Sequence, residues 1–279
     1  MFFLLYIDDM LAMCNNMKLI NSIKSQLKSV SEMKVLGAVK QILGMEITRH
    51  KSDKLLYLSQ NTYILKVLKR YLLETMKSVN VPFAQHFKPS LTQTYASAVD
   101  IEHMSKIPYA NIIGSLMYSM IWTMPDIAFT IFTLTRFMAN QGKPHWQALK
   151  CLLTYISHTA GLSSCFGRNI NTDELIAGYV DADYADNTDI RKSLTGYVFT
   201  ICGGPISWKC NMQSVVALST TEIEYTALTG AVKEALWLKG LVYELNLYNF
   251  VITVFFIVNQ LCICPNTRPC EPKELPKDG

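Results

Sequence analysis

The sequence predicts a mixed α/β fold, with strands and helices segregated in the α+β manner, and three observations predict it. Strand-type alternation opens the chain and returns after residue 174. Helical spacing of apolar residues fills most of the stretch between, and Pro and Gly mark each change of texture. Read this way, the chain divides into residues 1–75, 76–165 and 166–264, with a disordered tail at 265–279.

The bulk numbers support packed domains. A length of 279 residues suffices for two ordinary domains, and 50% hydrophobic content can fill their cores. Eight cysteines without a C-x-x-C pair fit reduced thiols better than a disulfide framework or a zinc site. The opening apolar run is short, lacks a basic leader and ends in Asp-Asp, so it does not read as a secretory signal, and an intracellular location is expected. The apolar stretch at 111–139 is cut by Pro125-Asp126 into halves too short for a bilayer, which predicts a buried helical hairpin and no membrane partner. Charge is uneven beneath the net +4: Lys and Arg outnumber Asp and Glu 11 to 6 in residues 1–75 and 7 to 3 in 76–170, but trail 8 to 13 in 171–279. A basic front suits a polyanion such as nucleic acid. An acidic rear suits a metal ion, although solvated faces alone account for much of both.

The elements follow in order. "FFLLYIDDMLAMC" reads as a hairpin turning at residues 7–9, and "MKLINSIKSQLKSV" as an amphipathic helix docked on it. Strands are expected over 41–48 and 55–59, then a helix through "YILKVLKRYLL" with Lys66, Lys69 and Arg70 on one side. Residues 109–158 carry helices separated by Pro125 and by "NQGKPHW", whose Gly142 and Pro144 are stop and restart signals. "LIAGYVDADYA", "TGYVFTICGG" and "PISWKCNMQSVVALS" read as strands, 221–245 as a helix and 251–258 as a buried strand, together the start of a compact mixed sheet.

The acidic residues raise the question of chemistry. Asp8 and Asp9 sit between two apolar runs, where an unpartnered ionised carboxylate costs several kcal/mol; such a pair belongs at a turn or on a cation. "YVDADYAD" holds Asp181, Asp183 and Asp186, with Asp181 and Asp183 on one strand face. Glu224 falls in line with Leu228, Ala231, Ala235 and Leu238, which turns it toward the sheet. Carboxylates converging from a strand and a helix are what a two-metal phosphodiesterase needs. The competing explanation is helix-start physics, since Ser219 with Glu222 and Thr221 with Glu224 both fit the S/T-x-x-E capping box.

"YIDDM", the amphipathic helix and "LGMEI" resemble the active-site hairpin and following palm strands of reverse transcriptases from copia-type retrotransposons. "YANIIGSLMYSMIWTMPDIAFTIFTLTRFMANQGKPHWQALKCLLTYISHT" resembles the helical connection region of the same Pol polyproteins. "GYVDADYADNTDIRKSLTGYVFTICGGPISWKCNMQSVVALSTTEIEYTAL" resembles their ribonuclease H domain. The ordered series, running to about Leu247, carries the resemblance. It implies a partial palm and thumb at 1–75, a helical connection at 76–165 and a truncated ribonuclease H-like sheet with its helix at 166–264. It also implies that Asp8, Asp9, Asp181 and Glu224 are catalytic ligands of Mg²⁺ or Mn²⁺, with Asp183 and Glu222 as local structure. The reaction implied for the family is RNA-templated DNA synthesis followed by hydrolysis of the RNA strand. The implied partner is an RNA/DNA hybrid or other nucleic acid, held through phosphates and duplex shape, with other fragments of the polyprotein as a second partner class.

The chain also departs from the family. A third polymerase aspartate and the fingers region are expected before Met1. In "FFIVNQLCIC", Asn259-Gln260 align with a family motif whose preceding aspartate is here Val258, which cannot bind Mg²⁺, and a closing acidic helix is replaced by the Pro-rich tail. Losing carboxylates from a two-metal site costs orders of magnitude in rate. Two readings follow: a catalytically impaired Pol segment that retains nucleic-acid binding, or an enzyme or subunit with residual activity through Asp181, Glu224 and Asp183.

Overall fold

The computed structural model describes residues 1–7, 9–14, 16–32, 34–71, 79–84, 86–94, 98–167, 174–187, 189–246 and 251–256. Among them, strands form three sheets and seven α-helices pack between and upon them, the expected mixed α/β fold.

The chain opens on an antiparallel ribbon of β1 (Phe2–Tyr6) and β2 (Asp9–Met13), with Tyr6 opposite Asp9. Asp9 therefore begins the second strand rather than belonging to the turn. Ile7 takes a φ of 50°, the left-handed conformation that a tight hairpin turn requires. Every residue of β1 is exposed, Leu5 at 65%, whereas Leu11 and Ala12 of β2 are half-buried and the Tyr6 ring meets Trp122 edge-on at 6.3 Å. Asn16 caps α1 (Met17–Val30) by accepting the Lys18 N–H at 2.9 Å. Within α1, Ile20 is buried and Ile23 and Leu27 are half-buried, while Leu19 and Val30 face solvent.

The second sheet contains β3 (Gln41–Ile42), β4 (Met45–His50) and β5 (Leu55–Ser59), each antiparallel to its neighbour. The single strand expected over 41–48 is therefore a hairpin. Leu43 and Gly44 turn the chain at φ of 50° and 69°, and the Tyr118 hydroxyl donates to the Leu43 carbonyl at 2.8 Å.

Helices α2 (Asn61–Tyr71), α3 (Ala98–Ser105), α4 (Tyr109–Trp122), α5 (Ala128–Thr135) and α6 (Lys143–Thr159) follow. One apolar core takes in Ile64 of α2, Met104 of α3, Leu116 of α4, Ile131 of α5 and Leu149 of α6. Two pairs of polar groups meet within it: Tyr155 donates to Asp126 at 2.7 Å, and Thr123 donates to Gln60 at 2.7 Å. Pro125 breaks the apolar stretch as expected, and no helix among the described residues is long and apolar enough to cross a membrane. At the start of α6 a Cβ on Gly142 would lie 2.0 Å from the Gln93 carbonyl oxygen, so only glycine fits there. The short β6 (Ser164–Phe166) then returns to pair with β5 and completes the second sheet in the order β3-β4-β5-β6.

The third sheet is built from β7 (Glu174–Asn187), β8 (Lys192–Ile201) and β9 (Gly204–Met212), a continuous antiparallel meander. Helix α7 (Thr220–Glu244) crosses over it, and β10 (Val251–Phe256) pairs parallel to β7, giving the order β10-β7-β8-β9. Residues 213–219, expected to prolong a strand, are irregular. β10 is partly exposed because it is an edge strand, with Phe255 at 42%. Ala227, Ala231 and Leu238 of α7 pack on Ile176, Val180 and Phe199. A Cβ on Gly178 would meet the Phe199 ring at 2.3 Å, so the glycine makes room for that ring. The other sheet face meets the helical core through Trp208, whose indole N–H donates to the Met120 carbonyl at 2.9 Å. Asp189, in the loop after β7, accepts from the Ser90 hydroxyl at 2.6 Å and the Leu91 N–H at 3.0 Å. Val258, Asn259, Gln260, the tail and Cys262, Cys264 and Cys270 lie outside the described residues, whereas Cys14, Cys151, Cys165, Cys202 and Cys210 form no disulfide.

Candidate functional site

Of the four acids singled out by the sequence, Asp9, Asp181 and Glu224 fall on three different elements. Asp8 lies outside the described residues, and Asp9 is exposed at the head of β2. Asp181 is half-buried on β7 opposite Gly196 of β8, and Asp183 is half-buried opposite Leu194; the Asp186 side chain lies outside the described residues. Val180 and Ala182 pack beneath α7, so the pleat turns Asp181 and Asp183 together toward the opposite face. Burial pushes the Asp181 carboxyl above its ordinary range, opposed by the N–H of Ala182, which its Oδ1 accepts at 2.9 Å.

Helix α7 separates the two glutamates of its first turns. Ser219 is the N-cap and accepts the Glu222 N–H at 3.2 Å, while Glu222 reaches back to accept the Leu218 N–H at 2.9 Å. Helix capping therefore accounts for Glu222. Glu224 is not explained this way. The sheet-facing row of α7 runs through Ile223, Ala227, Ala231 and Leu238, and Glu224 sits half-buried on its flank rather than in line with it.

Sequence reasoning missed the glutamate that does point at the sheet. Glu234 accepts the Ser207 hydroxyl at 2.6 Å and the Tyr197 hydroxyl at 3.4 Å, bracing α7 against β8 and β9. Burial first, then the Glu234 charge, pushes the Tyr197 phenol up to about 12. The signal was present: Glu234 stands seven residues after Ala227 and four before Leu238, within the buried helical row. Its hydroxyl partners make it a brace rather than a metal ligand.

Among the described residues, no group of three or more His, Cys, Asp or Glu side chains lies close enough to hold a metal ion. Asp9, Asp181 and Glu224 thus do not make up the donor set that a pair of Mg²⁺ ions requires. The exposed cations are arranged differently. Lys66, Lys69 and Arg70 line the outer side of α2, and Lys18 and Lys28 stand out from α1. Such faces offer phosphate contacts without base readout.

The reverse transcriptase (RNA-dependent DNA polymerase) family matches residues 1–85. The retrovirus-related Pol polyprotein from transposon TNT 1-94 of Nicotiana tabacum is 44% identical over 90% of this chain and 19% of its own length. The corresponding polyprotein from transposon RE1 of Arabidopsis thaliana is 33% identical over 88% of this chain and 16% of its own length. The secreted RxLR effector protein 161 of Plasmopara viticola is 42% identical over 48% of this chain and 94% of its own length. The chain thus spans less than a fifth of the length of the Pol polyproteins it matches. No solved structure matches it.

Proposed function

We propose, from the reverse transcriptase match over residues 1–85 and the likeness to transposon Pol polyproteins, that the chain is a segment of such a polyprotein that binds RNA/DNA hybrids without hydrolysing them. Residues 166–264 are read as a ribonuclease H-like unit. Supporting this are the three-stranded meander, the helix laid across it and the parallel return of β10 beside β7. Residues 1–75 are read as palm sequence, with Asp9 at the head of β2 as one of the paired aspartates that the resemblance assigns to metal.

The observation that carries the impaired reading is the donor set. Asp181 and Glu224 are the two acids that the ribonuclease H resemblance assigns to metal, they stand on different elements, and no third ligand joins them among the described residues. The sequence places Val258 where the resemblance calls for another aspartate. Binding needs none of these groups. The cations of α1 and α2 supply phosphate contacts, and a hybrid presents phosphates at a spacing independent of base sequence.

The test uses one sample for both halves of the reading. A fluorescently labelled hybrid is titrated with the chain by anisotropy, and the same mixture is then resolved on a denaturing gel after incubation with Mg²⁺ or Mn²⁺. The expected result is binding that weakens with salt and intact RNA. Cleavage that Asp181→Asn abolishes would replace this reading with a residually active ribonuclease H. Activity gained in Val258→Asp would support the assignment of that position to the lost ligand.

A further inference from the structure

We propose that two copies of this chain pair through the outer face of α7, antiparallel and about a two-fold axis. On the side of the helix away from the sheet, Glu222, Tyr225, Thr229, Val232, Leu236 and Lys239 follow one another at alternating spacings of three and four residues, the pattern of a helix–helix seam. All of them are exposed, Tyr225 at 69% and Leu236 at 63%. The Thr229 hydroxyl donates to the Tyr225 carbonyl at 2.8 Å, so its polar end is satisfied within the helix and the middle of the seam is apolar. A continuous apolar stripe with charged ends is a surface made to be covered.

The ends of the seam select the occupant, because the row is complementary to itself. Laid against a reversed copy about the point between Gly230 and Ala231, Thr229 meets Val232, Tyr225 meets Leu236 and Glu222 meets Lys239, and the two-fold axis makes each contact twice. Apolar side chains then face apolar ones, and each acid faces a base. Lys239 has no ion-pair partner among the described residues. The Glu222 carboxylate accepts the Leu218 N–H through Oε2, which leaves Oε1 for a cation. A parallel pair would set Glu222 against Glu222 and Lys239 against Lys239, so charge fixes the direction as well as the partner. Thr229 and Val232, the smallest side chains of the row, stand beside the axis, where two helices crossing at a shallow angle approach most closely. A polynucleotide would be repelled by the acidic end of the row, so this contact is separate from the cationic faces of α1 and α2 and does not rest on hybrid binding.

The test is sedimentation velocity of the full chain over a dilution series, without nucleic acid. A reversible equilibrium between monomer and dimer is expected. Lys239→Glu changes an exposed side chain and turns both opposite-charge contacts into like-charge ones; it should weaken the dimer about tenfold while leaving the thermal melt of the monomer unchanged. Glu222→Lys, which also gives up a helix-capping bond, should weaken the dimer to a similar extent. The two substitutions combined in one chain exchange acid and base, and should bring the affinity back to within about threefold of the wild type, a recovery that an antiparallel pair allows and a parallel pair does not. A chain that stays monomeric throughout, a dimer indifferent to Lys239→Glu, or a double variant that fails to recover would overturn the proposal. A dimer abolished by Leu5→Lys and untouched by Lys239→Glu would move the contact to β1 and overturn it equally.

Discussion

Protonating His145 should loosen the helical core, and the structure sets the size of the effect. The imidazole is fully buried, stacks on Phe137 at a centroid distance of 3.9 Å, and accepts the Gly142 N–H on Nδ1 at 2.9 Å, closing the first turn of α6. Burial pushes its pKa from 6.5 down to about 4. Because the folded value is depressed, the unfolded chain binds the extra proton first. The stability the neutral ring contributes is complete above the unfolded pKa and is lost as pH falls through the folded one. Between those limits, the linkage integral at pH 4.5 is about 2.5 kcal/mol. Other groups titrate over the same range, so the informative quantity is a difference. Urea unfolding of the wild type and of His145→Gln at pH 7.5 and 4.5 isolates it, since glutamine at this position can still accept the Gly142 N–H. The variant should lose about 1 kcal/mol at pH 7.5 from the missing ring stack, yet fall less steeply on acidification by about 2.5 kcal/mol. Equal pH dependence in the two proteins would refute the reasoning.

Three further outcomes are expected. Burial raises the Asp181 pKa, so this group favours folding below its unfolded pKa and opposes it increasingly as pH rises through the folded value; Asp181→Asn should therefore melt above the wild type at pH 7, read by circular dichroism. Gly142→Ala forces a Cβ against the Gln93 carbonyl and should cost about 2 kcal/mol or more in urea unfolding, whereas Gly114→Ala, which meets open space, should be neutral or stabilising. Leu5→Lys, on the exposed strand β1, should raise the concentration at which the chain stays monodisperse by light scattering. No change would mean that the ribbon is not an association surface.

What the sequence disclosed, and what it hid, divides along local and distant interactions. The meander, α7 and β10 were legible because period-two alternation, a long helical row and an apolar strand are written into neighbouring residues. The Pro125 break and the Gly142 restart were legible for the same reason. The turn at Leu43–Gly44 was not, since its left-handed leucine is held by Tyr118 from a helix far along the chain. Strand β6 is three residues long and exists because β5 offers an edge, which nothing near Cys165 announces. Within the candidate site, the types and positions of the acids could be named from spacing and resemblance. Whether they converge could not, because the β7 pleat and the rotation of α7 decide that jointly. The capping role of Glu222 was one of two open explanations, and only the geometry at Ser219 separated it from Glu224.

Calorimetric titration of the full chain with Mg²⁺ tests the donor-set argument most directly. The expected trace shows weak, non-stoichiometric heats that Asp181→Asn leaves unchanged. Tight uptake of two ions, lost in Asp181→Asn and in Glu224→Gln, would contradict the account at its root.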